Sequence, residues 1–348
     1  MEKSSLQPLA RVRAEWAIPQ QLEALADALT GAGPALAFGE SSFNEVPQGC
    51  ALVLPTSGSS GAPKSVALTA GAVIASAKAS HSFLHAEPGD RWSLLLPTTH
   101  IAGVNVLLRS LELGTELLGI DDGADFTAIV PTQLHRALNG DVQLLEHLQH
   151  AKAVLVGGAA TSPELQEEAA QNNIRLVTTY GMTEMSGGCL YNGRPLDGVE
   201  VRISDGAIEL NGPMKAIGYL GEAPFGDSFF RTSDTGRLEN GILEVIGRID
   251  DQIITGGEKL SLGAVTDFLN SGSPQRFIAI GLPDAEWGQA LAIASDGPID
   301  ESVVKSALRE RFGAHASPKR FAANIELPLT ALGKPDRRTL AEIFGRLP

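Results

Sequence analysis

The segment PTSGSSGAPKSVALT, Pro55–Thr69, decides how this chain is read, because it strings glycines and small hydroxyls together and closes them with one lysine. Gly58 and Gly61 let backbone N–H groups approach a ligand closely, while Thr56, Ser57, Ser59, Ser60 and Ser65 add hydroxyl donors around them. Such a loop suits phosphate. Lys64 supplies a point charge against phosphate oxygens, and Pro63 stiffens the turn before it.

A Walker A loop, G-x-x-x-x-G-K-[ST], is the first comparison, since its loop runs straight into a helix whose N-terminus faces the phosphates. Gly58 and Lys64-Ser65 are correctly spaced for it, but Pro63 stands where the second glycine belongs. The following SVALT alternates Val66 and Leu68 and reads as a strand, with a helical run beginning only at about Gly71. These surroundings argue against a P-loop NTPase. Gly/Ser-rich segments also serve as plain flexible loops, so the loop alone leaves both readings open.

At 348 residues the chain is long enough for two domains. Hydrophobic residues at 43% and charged residues at 20% fit an ordinary globular protein. With 27 basic against 41 acidic residues, the net charge of −14 works against nonspecific attraction to nucleic acid or anionic membranes, so an anionic ligand needs a local positive site. Cys50 and Cys189 are the only cysteines, and neither a C-x-x-C pair nor a Cys/His cluster suggests a disulfide framework or structural zinc. The N-terminal MEKSSLQPLARVRAEWAIPQ lacks the apolar core of a signal peptide, and no apolar run approaches the roughly 18 residues of a membrane span. A cytoplasmic protein is expected.

From Ala51 to about Leu190 short apolar runs alternate with helix-like stretches: ALVLP, Gly71 to Leu84, WSLLLP, Ile101 to Leu113, TAIVP, Gln133 to Leu148, AVLVGG, Pro163 to Asn172 and IRLVTTY. This is α/β alternation, with glycine- or threonine-rich turns directly after several runs, where ligand sites of such sheets lie. After Leu190 the segments VEVRI, AIEL and ILEVIG read as antiparallel β structure. GRIDDQIITGG, Gly247–Gly257, marks a boundary, followed by a helix around Ser261 to Leu269, strands at RFIAIGLP and LAIAS, a helix from about Asp300 to Phe312 and a polar, proline-containing tail. The expected architecture is a large N-terminal α/β domain with an added β-rich subdomain, residues 1–249, and a small mobile α+β C-terminal domain, residues 250–348.

TTYGMTEMSGG, Thr178–Gly188, combines an aromatic ring, glycines, a hydroxyl and one carboxylate after an apolar run. Tyr180 can stack on a base, Thr183 can bind phosphate and Glu184 can hold Mg2+ beside phosphate oxygens, although a strand-to-loop corner favours the same residues. In RTSDTGRL, Asp234 can accept from two ribose hydroxyls or simply make an Asx turn. Lys334, between Gly333 and Pro335, reads by itself as a solvated surface charge. His147 and His150, three apart on a helical stretch, read as a solvated face rather than a metal site.

Together and in order, TSGSSGAPKSVALT, TYGMTE, RTSDTGRL, GRIDDQIITGGEKL and LPLTALGKPD resemble the motifs of the acyl-adenylate-forming superfamily of acyl-CoA synthetases, adenylation domains and luciferases, spanning residues 56–335. Within it, HIAGVNVLLRSL, His100–Leu111, and TYGMTEMSGGCLYNGRPLDGVEVRI, Thr179–Ile203, are similar to the o-succinylbenzoate-CoA ligases of menaquinone biosynthesis, especially short actinobacterial forms. Only about 55 residues precede the phosphate loop, fewer than in many relatives, which favours a small aromatic acid over a long fatty acid.

The resemblance implies ATP-dependent formation of an acyl-adenylate and pyrophosphate, then attack by the thiol of coenzyme A with release of AMP. It assigns the loop of Thr56, Ser57, Gly58, Ser59, Ser60, Gly61 and Lys64 to the β- and γ-phosphates, Thr183 to the α-phosphate and Glu184 to Mg2+. Tyr180, with Gly181 beside it, packs on adenine, Gly157 and Gly158 line the adenine pocket, and Asp234 with Arg248 holds the ribose. Lys334 bridges the transferring carboxylate and α-phosphate, stabilising charge that grows in the transition state. Asp250 is the implied hinge of a domain rotation that presents Gly256 and Gly257 to the pantetheine arm. His100, Ser186, Gly187 and Gly188 are the acid-binding candidates, and Arg109 is the candidate partner for a second carboxylate, or else a structural ion-pair residue. Partners are thus small molecules, without nucleic acid or membrane insertion, and the family allows a homodimer. Three rivals stand beside this reading: a ligase for another aryl or short acyl acid, an amidase-type serine hydrolase, which leaves TYGMTE, GRIDD and LGKPD without a role, and a noncatalytic nucleotide sensor, which has no need of both Glu184 and Lys334.

Overall fold

The apolar run Cys50–Pro55 and the segment Ser65–Thr69 pair as antiparallel strands, so the glycine- and serine-rich segment joins strand to strand and not strand to helix. That arrangement removes the P-loop reading. The computed structural model describes residues 5–56, 64–249, 251–271, 273–329 and 335–346. Ser57, Gly58, Ser59, Ser60, Gly61, Asp250 and Lys334 therefore lie outside the described residues.

The chain divides into two compact units. One holds Met1–Arg202, Glu209–Arg231 and Leu238–Leu243, and the other holds Ile203–Ile208, Thr232–Arg237 and Glu244–Pro348. In the first, a six-stranded sheet runs in the order Gly218–Tyr219, Ser65–Thr69, Cys50–Pro55, Ala35–Ala37, Leu6–Arg11 and Glu45–Pro47. Leu52, Leu54, Val66 and Leu68 are fully buried there against Val73, Val104 and Leu107 of the helices Ala70–Leu84 and Ile101–Leu113. Thr69 starts the first of these helices by accepting from the Ala72 N–H at 3.0 Å, so the strand passes into the helix without a loop.

A second six-stranded sheet in this unit has the order Arg194–Pro195, Gly187–Tyr191, Leu176–Met182, Ala153–Val156, Phe126–Ile129 and Trp92–Ser93. Its last four strands are parallel, and Ala153–Val156 and Phe126–Ile129 are buried along their length and apolar but for Thr127, as suits parallel strands covered on both faces. The alternation expected from the sequence is present. The single helix expected over Gln133 to Leu148 is two, Pro131–Leu138 and Val142–His150, because Gly140 takes a φ of 117° and Asp141 caps a new helix by accepting from the Leu144 N–H. His147 does not lie on a solvated face. It is 5% exposed, with Nε2 2.7 Å from Ser93 Oγ, whereas His150 is exposed.

A four-stranded sheet, Glu200–Ser204, Ala207–Asn211, Phe230–Glu239 and Ile242–Arg248 in that order, contributes residues to both units. The second unit is built on a further sheet whose long hairpin, Phe277–Asp284 with Gly288–Ser295, is buried on both faces. Phe277, Ala279, Leu291 and Ile293 pack with Val265, Val304 and Leu308, while Ile278, Ile280, Ala292 and Ala294 pack with Leu340 and Phe344. The last two belong to the helix Arg337–Arg346, where the sequence suggested only a polar tail. Its few apolar residues fall one turn apart and cover the remaining sheet face, Asp336 accepts from the Thr339 N–H at its start, and Arg337 forms a bidentate pair with buried Asp251. No helix among the described residues is long and apolar enough to cross a membrane.

Candidate active site

In the second sheet the parallel strands Phe126–Ile129, Ala153–Val156 and Leu176–Met182 end on one side, where Gly157 and Gly158 follow the second, and Tyr180 in the last part of the third leads into Thr183 and Glu184. Open parallel sheets bind ligands at that edge. Gly157 is fixed by its neighbour, since a Cβ there would lie 2.1 Å from Thr179 Oγ1, and Gly158 carries a φ of 82°. The sequence TYGMTEMSGG forms a strand, one 3-10 turn over Thr183–Met185 and the returning strand Gly187–Tyr191. Gly181 faces Gly188 across this hairpin, and a Cβ on Gly181 would meet the Gly187 carbonyl oxygen at 1.9 Å. The glycines thus let the hairpin close, with Tyr180 near the end of its first strand and Thr183 and Glu184 in the turn that follows.

Glu184 is 9% exposed. Its Oε1 accepts from the Tyr219 hydroxyl at 2.7 Å, and its backbone carbonyl accepts from the Ala216 N–H at 2.9 Å. Burial, then Glu184 itself, pushes the Tyr219 pKa up, so the phenol stays a neutral donor. Lys64 Nζ stands 4.4 Å from the Tyr219 ring centroid and 2.9 Å from Glu222 Oε1. At the base of the undescribed loop, the Thr56 N–H donates to the Lys64 carbonyl at 2.8 Å and Thr56 Oγ1 accepts from the Lys64 N–H at 3.1 Å. Lys64, Tyr219 and Glu184 are therefore neighbours. Sequence reading missed Tyr219 and Glu222, for which GYLGE offers no signal beyond an ordinary turn.

The acid-binding candidates come from the hairpin itself and from the helix Ile101–Leu113, whose Ile101 and Asn105 lie against Gly187. His100 is the N-cap residue of the helix Ile101–Leu113 and is half-buried. Ser186 is fully buried with a φ of 56°; its hydroxyl donates to the Met214 carbonyl at 2.7 Å, and its own carbonyl accepts from Asn105 Nδ2 and Ser76 Oγ. Gly187 has a φ of 101° and lies against Asn105, while a Cβ on Gly188 would meet the Tyr191 ring at 3.1 Å. Arg109, two turns into the helix from His100, is 3% exposed. One of its terminal nitrogens donates to the Tyr191 hydroxyl at 2.8 Å, its guanidinium carbon lies 4.8 Å from the Trp92 ring centroid, and Nε has no hydrogen-bond partner. Burial lowers its pKa.

The remaining expected residues lie in the second unit. Asp234 sits inside the ten-residue strand Phe230–Glu239 and not in an Asx turn, with Oδ1 3.4 Å from Arg248 Nη1. Gly236, which suggested the turn, lies in the strand, where a Cβ would come 2.8 Å from the Glu244 carbonyl oxygen. Gly256 and Gly257, with φ of 60° and 86°, join the strands Gln252–Thr255 and Glu258–Ser261 as the central pair of a tight hairpin turn that requires positive φ at both positions.

The donors at Glu184 suit Mg2+ delivered with a nucleotide: a hard cation that keeps most of its water and takes one carboxylate plus phosphate oxygens. Among the described residues no group of three or more His, Cys, Asp or Glu side chains forms a protein cage for a metal. Tyr219 occupies Oε1 only, which leaves the second carboxylate oxygen as the ligand the cation needs.

Comparison with known proteins agrees with this geometry. The model of the AMP-binding enzyme family matches residues 9–218. A protein of Mycobacterium tuberculosis named probable 2-succinylbenzoate–CoA ligase is 35% identical over 361 residues, covering 94% of this chain and 91% of the relative. The 2-succinylbenzoate–CoA ligase of Lactococcus lactis is 30% identical, covering 83% of this chain and 70% of that one. Among solved structures, Escherichia coli MenE with a bound analogue of OSB-AMS superposes with a TM-score of 0.71 at 25% identity, covering 97% of this chain and 82% of the other. Bacillus subtilis o-succinylbenzoate CoA synthetase in complex with the acyl-adenylate OSB-AMP has the same fold, with a TM-score of 0.76 at 23% identity and coverage of 95% and 82%. The chain, with its strand-borne glycines, its Thr183–Met185 turn and its likeness to these ligases over nearly its whole length, belongs to the AMP-binding enzyme family.

Proposed function

We propose that this chain is an ATP-dependent o-succinylbenzoate–CoA ligase of menaquinone biosynthesis. A substrate carboxylate attacks the α-phosphorus of ATP, displacing pyrophosphate and giving o-succinylbenzoyl-AMP; the thiol of coenzyme A then attacks the activated carbonyl, forming the thioester and releasing AMP. The observation that carries the choice of acid is Arg109. A guanidinium this deeply buried, with no acidic partner among the described residues and Nε unpaired, is costly unless a ligand anion completes it. Only a diacid can give one carboxylate to the reaction and another to Arg109.

The first half-reaction brings anions together, so it needs positive charge and preorganised donors. Lys64 is proposed for the β- and γ-phosphates, exchanging its exposed partner Glu222 for them, with Ser57, Gly58, Ser59, Ser60 and Gly61 of the same loop. Thr183 binds the α-phosphate, Glu184 holds Mg2+, which neutralises phosphate charge when bound, Tyr180 stacks on adenine, and Gly157, Gly158 and Gly181 leave room beside it. In the second unit Asp234 and Arg248 are proposed for the ribose, and Gly256 and Gly257 for passage of pantetheine. Lys334 is proposed as the catalytic cation and Asp250 as the hinge between a 1–249 and a 250–348 domain. His100, Gly187 and Gly188 are assigned to the acid, with Ser186 holding that wall in place through its buried hydrogen bonds. A cytoplasmic location fits the two buried free thiols, Cys50 and Cys189. A homodimer is the proposed assembly.

Pyrophosphate release with Mg-ATP, comparing o-succinylbenzoate, benzoate, a medium-chain fatty acid and no acid, each with and without coenzyme A, tests the reading. Release and a CoA thioester with o-succinylbenzoate alone are expected, and Lys334→Ala should then slow pyrophosphate release by about a hundredfold or more. Release with another acid in preference would remove the diacid assignment and leave adenylation standing; no release with any acid would remove both.

A further inference from the structure

Trp92 is fully buried, and its indole N–H donates to His81 Nε2 at 3.1 Å. Since Nε2 accepts, the imidazole proton resides on Nδ1, which lies 2.6 Å from Glu112 Oε2 and donates to it. The indole also packs on Phe126, with ring centroids 5.1 Å apart, so neither its position nor its plane is free. One face of this ring supports the Arg109 guanidinium. At the other support, the Tyr191 hydroxyl accepts from Arg109 and shares a 2.9 Å hydrogen bond with Ser80 Oγ.

We infer that Trp92, oriented through His81 and Glu112, is a positioning residue that fixes the Arg109 guanidinium plane for a ligand carboxylate; this rests on the diacid reading above. Two supports hold the cation, and the buried Nε keeps a donor without a partner. A ring face partly compensates a buried cation without neutralising it, so affinity for an anion is retained where an aspartate or glutamate would have quenched it. The relay works only with His81 neutral. A proton on Nε2 would oppose the indole N–H with a second donor and bring another cation toward Arg109. Burial and Arg109 disfavour that proton, whereas Glu112 and Asp90 favour it, and Asp90 is itself paired with Lys152 at 2.5 Å.

The test compares Trp92→Phe, His81→Ala, His81→Gln and Arg109→Ala in the full-length protein. The readouts are kcat and KM for o-succinylbenzoate, KM for ATP, and the KM or inhibition constant of 4-oxo-4-phenylbutanoate, the same skeleton without the ring carboxylate. Trp92→Phe keeps a ring and removes the N–H, and should raise KM for o-succinylbenzoate about tenfold, with kcat and KM for ATP unchanged and less than about a twofold effect on the monoacid. His81→Ala should do the same, and His81→Gln, whose amide oxygen can accept from Trp92, should recover most of the loss. Should Trp92→Phe fail to fold, the two His81 variants decide the matter. An unchanged KM, or equal weakening of both acids, would overturn the relay while leaving the diacid reading intact provided Arg109→Ala still discriminates between them. If Arg109→Ala does not discriminate, the diacid reading falls and the relay with it.

Discussion

The Tyr219 hydroxyl donates to Glu184 Oε1 at 2.7 Å, joining a strand at the edge of one sheet to the turn that follows a strand of another. A partner that orients a metal-binding carboxylate commonly matters nearly as much as the ligand itself. Tyr219→Phe should therefore raise the Mg2+ concentration needed for half-maximal pyrophosphate release by about tenfold, with KM for the acid unchanged. Titration of Mg2+ at saturating ATP measures it, and an unaltered midpoint would show that Glu184 is aligned without this phenol.

Gly181 is closed on the Gly187–Gly188 backbone, and a methyl group there has no flexible side chain to push aside. Gly181→Ala should cost about 3 kcal/mol of stability, because backbone must move to admit it. Chemical denaturation would register this as a lower midpoint. A variant as stable as the parent would mean that the hairpin is wider than described.

Burial holds the pKa values of His81 and His147 below the ordinary histidine range. The unfolded chain then takes up protons near about pH 6.5 while the folded chain does not, so the stability present above that pH declines as pH falls through it toward the folded pKa values. Thermal unfolding measured from about pH 8 to pH 5 should show a falling midpoint, with a shallower slope in His147→Gln, whose amide can keep a bond to Ser93 and cannot titrate there. Identical slopes for parent and variant would remove His147 from the account.

Gly256 has a φ of 60°, and a Cβ would come 2.6 Å from the Trp287 ring. Gly256→Ala should displace that ring and the hairpin turn, slowing thioester formation by at least about tenfold while pyrophosphate release in the absence of coenzyme A changes little. Single-turnover measurement of each half-reaction separates the two. Equal loss in both halves would argue against a role confined to the second step.

The local order of chemistry along this chain is readable without a structure. Val66 and Leu68 announce a strand after the glycine- and serine-rich loop, and that one feature separates it from a P-loop; short apolar runs between longer periodic stretches announce the parallel sheet; ordered motifs supply the candidate nucleotide residues. These are consequences of backbone period and side-chain type, which neighbours in sequence carry between them. The break at Gly140 was less visible because the apolar spacing of the two helices continues across it. The final helix was hidden for a related reason: Leu340 and Phe344 make a narrow apolar stripe in a polar stretch, and only the uncovered face around Ile278 and Ile280 shows what the stripe is for. The glycines at 157, 181 and 236 were legible as glycines, but the atoms that exclude a Cβ come from segments distant in the chain or across a hairpin.

Tertiary structure alone decided the company each charged group keeps. Arg109 stood in the sequence as either a structural ion pair or a carboxylate anchor, and nothing in its neighbours along the helix chooses between them. Folding brings Trp92 from one strand and Tyr191 from another against it, and brings no acid within reach among the described residues. Likewise Tyr219 reaches Glu184 through its hydroxyl and Lys64 through its ring, contacts that span large separations in the chain. Sequence set the secondary structure and the chemical inventory because both depend on local periodicity and residue type; the fold set burial and pairing, on which the behaviour of a buried charge depends.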